Sequence, residues 1–77
     1  MDINLADVTI HIDEGIDAAG REKLEAAWRA HDGVVSVHWD EKKGHLAIVE
    51  YNPTKVGSHE LRDIALGSGL HAELVGL

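Results

Sequence analysis

Hydrophobic and polar residues alternate from residue 8 onward, with Val8, Ile10 and Ile12 on one side and Thr9 and His11 on the other. A period of two marks a half-buried strand. Residues 1–6 read as a short lead-in to it. After the Glu14-Gly15 turn the period changes. Leu24, Ala27, Trp28 and His31 recur at i, i+3, i+4 and i+7, one apolar stripe along a helix over about residues 17–31. Asp17 is placed to cap that helix, because its carboxylate can accept from the orphan amides of the first turn. Asp32-Gly33 is placed to stop it, with Gly33 expected in the left-handed cap conformation.

Residues 34–39 form a β-branched run, a second strand. Strict alternation puts Val35, Val37 and Trp39 on one face and Val34, Ser36 and His38 on the other. Asp40-Glu41-Lys42-Lys43-Gly44 reads as a polar hairpin loop. A third strand over residues 46–51 follows, with Ala47, Val49 and Tyr51 opposed to Leu46, Ile48 and Glu50. Asn52-Pro53 breaks it. Ser58 is expected to cap a second helix with Glu60 in its first turn, Leu61, Ile64, Ala65 and Ser68 as its stripe, and Gly67 and Gly69 at its end. Residues 70–75 alternate again, Leu70, Ala72 and Leu74 against His71 and Glu73. Strand, helix, strand, strand, helix, strand is the order of two split βαβ units. The fold class that follows is α+β: a ferredoxin-like βαββαβ sandwich, with a four-stranded antiparallel sheet and two helices on one face. The other face of the sheet is left for solvent or a partner.

At 77 residues the sequence makes one domain, residues 1–77, with a single modest core. So small a chain has no second lobe to roof a cleft, which argues against an enzyme. The net charge of −7 comes from fourteen acidic and seven basic residues. That balance excludes the basic footprint of a nucleic-acid binder and is repelled by anionic membrane surfaces. It suits a metal ion or a cationic partner. No cysteine is present, so there is no disulfide and no thiolate ligand. No apolar run approaches membrane-spanning length and the N-terminus lacks a signal-peptide pattern, so a cytoplasmic location is expected.

The segments Gly33-Val34-Val35-Ser36-Val37, Gly44-His45-Leu46-Ala47-Ile48-Val49-Glu50-Tyr51-Asn52-Pro53, Leu61-Arg62-Asp63-Ile64-Ala65 and Gly69-Leu70-His71-Ala72 together resemble the heavy-metal-associated domain family. That family includes small copper chaperones, mercury-binding proteins and N-terminal modules of metal-pumping ATPases. The resemblance covers residues 7–75 and implies metal binding or metal transport as an accessory module. The family holds soft metals through Met-x-Cys-x-x-Cys after its first strand. In the register set by the helix stripe, Ile12 falls on the methionine, Glu14 on the first cysteine and Asp17 on the second. The scaffold is kept and the thiolates are replaced, so the usual ground for binding soft cations is gone.

Two groups of side chains are candidate ligands. Asp13, Glu14 and Asp17 put three carboxylates on the loop before the first helix, an oxygen donor set suited to a hard divalent metal ion. Acidic residues also gather at helix N-termini for the dipole alone. His11 and His71, with Glu73 as a third donor, lie on the open-face parity of neighbouring strands, where imidazoles can take zinc, nickel or copper(II). The competing reading is two polar residues on a wet sheet. His31 ends a helix, where a cation is favourable. Val34, Leu46 and Ile48 are expected together on the open face, as an interface for a protein partner or self-association. A lone Ser58 or Ser68 lacks a histidine–acid arrangement, the acidic loop would repel a phosphate, and no aromatics stand on the central strands to stack RNA bases. The expected function is a small non-enzymatic binding module that takes a metal ion through carboxylate or histidine donors. Two alternatives stay open: an interaction module that has lost the metal, and a small-molecule sensing module like the ACT domains, which share the topology.

Overall fold

The computed structural model describes residues 5–40 and 45–75. Six elements run in the expected order: β1 (Ala6–Ile12), α1 (Ala18–Arg29), β2 (Val34–Trp39), β3 (Leu46–Tyr51), α2 (Ser58–Gly67) and β4 (Ala72–Val75). The sheet order is β2-β3-β1-β4 and every pairing is antiparallel. Most of the lead-in and residues 41–44 of the expected hairpin loop lie outside the described residues.

One parity of each strand goes to the core. Val8, Ile10 and Ile12 of β1 and Ala47, Val49 and Tyr51 of β3 are buried, as the alternation requires. Leu24 and Trp28 of α1 and Leu61 and Ala65 of α2 meet them in one cluster, so both helices cover the same face. Each large side chain buried there contributes about 1.5–3 kcal/mol. Trp28 is fully buried, and its indole N–H donates to the Leu61 carbonyl at 2.8 Å. The bond ties α1 to α2 and satisfies a polar atom that burial would otherwise leave costly.

Asp17 caps α1 as its sequence position implies: Oδ1 accepts from the Gly20 amide at 2.8 Å. Three other local expectations are corrected. The first concerns Gly33. α1 closes at Ala30 in right-handed geometry, and the only positive φ among the described residues is that of Gly69, at 84°. Gly33 is a glycine for space. A Cβ there would lie 2.5 Å from Cγ1 of Val56 and 2.9 Å from its Cβ, because the Gly33 carbonyl is drawn against the Asn52 amide at 2.8 Å.

The second correction is at the start of α2. Gly57 is the N-cap and Ser58 the first helical residue. The Glu60 carboxylate accepts from the Gly57 amide at 3.4 Å, so the reaching-back half of a capping arrangement forms without a cap side chain.

The third is at the start of β2. Val34 pairs with Tyr51 but Ser36 pairs with Glu50, so Val35 is an extra residue in a β-bulge. Val34 therefore packs against the core, and Val35 is left outside at 51% exposure. The placement of Val34 on the open face, which rested on unbroken alternation, is wrong. From Val37 onward the expected parity holds: Val37 is buried and Trp39 packs on the core.

Candidate functional site

His11, Asp13, Glu14, His45 and His71 lie near the end of the sheet where β1 runs into α1. Backbone bonds anchor that end on both sides. The Ile12 amide donates to the His45 carbonyl at 2.8 Å, and the Asp13 amide donates to the His71 carbonyl at 2.9 Å. The segments before β3 and before β4 thus flank the loop of residues 13–17.

The three loop carboxylates have three different partners. Asp13 Oδ1 lies 3.1 Å from His11 Nδ1. Glu14 accepts twice from His71, at 2.8 Å from its backbone amide and at 2.7 Å from Nδ1. Asp17 is turned to its cap. The backbone amide of His71 and then its ring hold the Glu14 carboxyl below the usual carboxylate range. The hydrogen bond to Glu14, followed by its charge, raises the His71 imidazole above its ordinary value. Among the described residues, no three His, Cys, Asp or Glu side chains come together in a group fit to hold a metal.

His11 and His71 are not cross-strand neighbours. The residue across from His11 on β4 is Glu73, and His71 stands before β4, opposite Asp13. The imidazole nearest to His11 is that of His45, with ring centroids 6.1 Å apart. His45 Nδ1 donates to the Ile12 carbonyl at 3.1 Å. Sequence reasoning assigned His45 no partner. Its signal was the hairpin register: His11 faces Leu46, so the preceding residue must come beside the end of β1.

The open face carries Leu46 and Ile48 as expected. Register aligns Val75, Thr9, Ile48 and His38 in one row across the four strands. Ile48 is 40% and Val75 41% exposed. On the helix side, a groove of about 400 Å³ runs beside the loop between Ile16, Gly20, Lys23, Leu24, Ser68 and Leu70. No described helix is long and apolar enough to cross a membrane.

No protein-family model and no curated protein matches the chain. Solved structures do. The N-terminal domain of a potential copper-translocating P-type ATPase from Bacillus subtilis, in its Cu(I)-loaded state, superposes with a TM-score of 0.84 at 20% identity, over 95% of this chain and 90% of that one. Oxidized MerP from Ralstonia metallidurans gives 0.83 at 16% identity, over 95% and 100%. A copper binding domain from the P-type ATPase HMA7 gives 0.81 at 20%, over 91% and 93%. The chain has the fold of heavy-metal-associated domains. Its donors do not fit a soft ion such as Cu(I): the sequence has no cysteine, and Glu14 and Asp17 stand where the resemblance puts the thiolates.

Proposed function

We propose that this chain, with its heavy-metal-associated fold, is a small non-enzymatic binding module for a divalent metal ion, acting as an accessory in metal binding or transport. Nitrogen and oxygen donors do the work that thiolates do in the motif it resembles. The observation that carries the reading is the approach of the His11 and His45 rings, with centroids 6.1 Å apart, at the loop end of the sheet beside the Asp13 carboxylate. Imidazole suits zinc, copper(II) and nickel, and carboxylates suit harder ions.

Backbone amide NMR, with the protein titrated in turn with zinc, copper(II), nickel, magnesium and calcium, tests it. Saturating shifts confined to residues 11–17 and their flanking histidines support the module. Absence of any saturating response removes it.

A second reading is a protein-interaction module that has kept the fold without the metal. It is favoured by the engagement of every loop carboxylate inside the chain and by the exposure of Ile48 and Val75 on the open face. Leu46 and Ile48 would then form part of a contact surface for a partner or a second copy.

A further inference from the structure

Three histidines stand around the loop end, and each brings the same ring nitrogen close to an oxygen, by a hydrogen bond in His45 and His71 and at ion-pair distance in His11. His11 Nδ1 is 3.1 Å from the Asp13 carboxylate. His45 Nδ1 is 3.1 Å from the Ile12 carbonyl oxygen. His71 Nδ1 is 2.7 Å from the Glu14 carboxylate. A carbonyl or ionised carboxylate oxygen can only accept, so in the hydrogen-bonded rings of His45 and His71 Nδ1 carries the hydrogen, and the Asp13 carboxylate beside His11 Nδ1 favours a hydrogen on the same nitrogen. A neutral imidazole in that tautomer offers its lone pair at Nε2. A metal-bound histidine is held in the same way, with its second ring nitrogen donating to a carbonyl or carboxylate that fixes tautomer and orientation.

The three are not equivalent. His71 is clasped by a carboxylate that also holds its own backbone amide, and that clasp favours the charged ring, which has no lone pair to give. His11 and His45 are adjacent, with centroids 6.1 Å apart and ring planes inclined by 37°. Two imidazoles sharing one tetrahedral ion, at about 2.0–2.1 Å from each nitrogen, hold their centroids roughly 5 Å apart. The rings must therefore close by about 1 Å, a side-chain rotation open to His11, whose side chain is 40% exposed.

We infer that His11 and His45 form a paired nitrogen site for a borderline divalent ion such as zinc, nickel or copper(II), oriented by Asp13 and by the Ile12 carbonyl. The inference deepens the proposed function and rests on it. It moves the ligands off the acidic loop and onto the seam between the end of β1 and the start of β3. Two protein nitrogens leave the remaining coordination positions to water, so the site is open to exchange, as a module that hands its ion on requires.

The test is zinc and nickel titration of the parent chain and of His11→Ala, His45→Ala, His71→Ala and Asp13→Asn, with circular dichroism to verify each fold. Binding should weaken at least about tenfold in His11→Ala and in His45→Ala, where a ligand is lost, and by about tenfold in Asp13→Asn, where an orienting partner is lost. His71→Ala should bind as the parent does. In parallel, long-range ¹H–¹⁵N spectra of the histidine rings in the parent should show Nε2 of His11 and His45 shifting on zinc addition. This second readout needs no variant to fold. Binding retained in His45→Ala and lost in His71→Ala or Glu14→Gln would overturn the pair while leaving the metal-module reading standing. A parent chain that takes up neither ion nor any other of the series would remove both.

Discussion

Glu14 holds His71 from across the whole chain, accepting from its backbone amide at 2.8 Å and from its ring at 2.7 Å. The clasp fastens the loop after β1 to the segment that enters β4. It also links loop geometry to pH. The His71 pKa is raised from 6.5, so its contribution to stability is complete below that value and is lost as pH rises through the raised one. The Glu14 pKa is lowered from 4.5, so its contribution is complete above that value and is lost as pH falls through the lowered one. Glu14→Gln should therefore depress the melting temperature most between pH 4.5 and 6.5. The difference should shrink with added salt, because both groups face solvent. Melting curves across pH at low and high salt measure it. A deficit independent of pH would show that the pair does not act as a charged clasp.

Gly33 and Gly67 make opposite predictions for one substitution. Gly33→Ala puts a methyl 2.5 Å from Val56 Cγ1 and should cost about 1–3 kcal/mol through overpacking. Gly67→Ala meets nothing within 4 Å at the end of α2 and should gain up to about 1 kcal/mol. Urea denaturation midpoints of the two variants should move in opposite directions.

Trp28→Phe should cost about 1–3 kcal/mol, because the Leu61 carbonyl loses the indole donor that joins the two helices. Chemical denaturation reads the loss. A cost near zero would mean that ring packing, with no help from the hydrogen bond, holds α1 to α2.

Glu14→Cys combined with Asp17→Cys should give the loop thiolate-dependent affinity for copper(I) or zinc, since two thiolates would replace two hard donors. The variant should also lose about 0.5–2 kcal/mol with the Asp17 cap. Metal competition assays in the presence of a reductant check the gain. No thiolate-dependent binding would show that residues 14 and 17 do not face one another across the loop.

Ile48→Asp separates the two functional readings. Ile48 stands exposed between Thr9 and His38 on the open face, away from the core. The fold should survive the charge. Any concentration-dependent association through that face should vanish, as sedimentation would show. Association that persists in Ile48→Asp would place the contact elsewhere on the molecule.

The alternation of Val8, Ile10 and Ile12, the stripe through Leu24 and Trp28 and the Asp17 cap were all legible in the chain, because each is a relation between residues a few positions apart. Such relations set element type, order and facing, and for six elements in this order they also imply the sandwich. The swap of Val34 and Val35 was not legible. Two adjacent valines carry no sign of which one a bulge will expel, and only the register of β2 against β3 decides it. The spatial need for Gly33 depends on Val56, which the turn after β3 brings against it. The candidate site divides in the same way. The sequence by itself determined that the loop carries carboxylates and no thiols. Tertiary structure alone decided that Glu14 is engaged by a histidine 57 positions away and that His45, not His71, comes beside His11. Hydrogen bonds and ligand geometry are set by distances of a few ångströms in space, and strand pairing brings residues to those distances without regard to their separation along the chain.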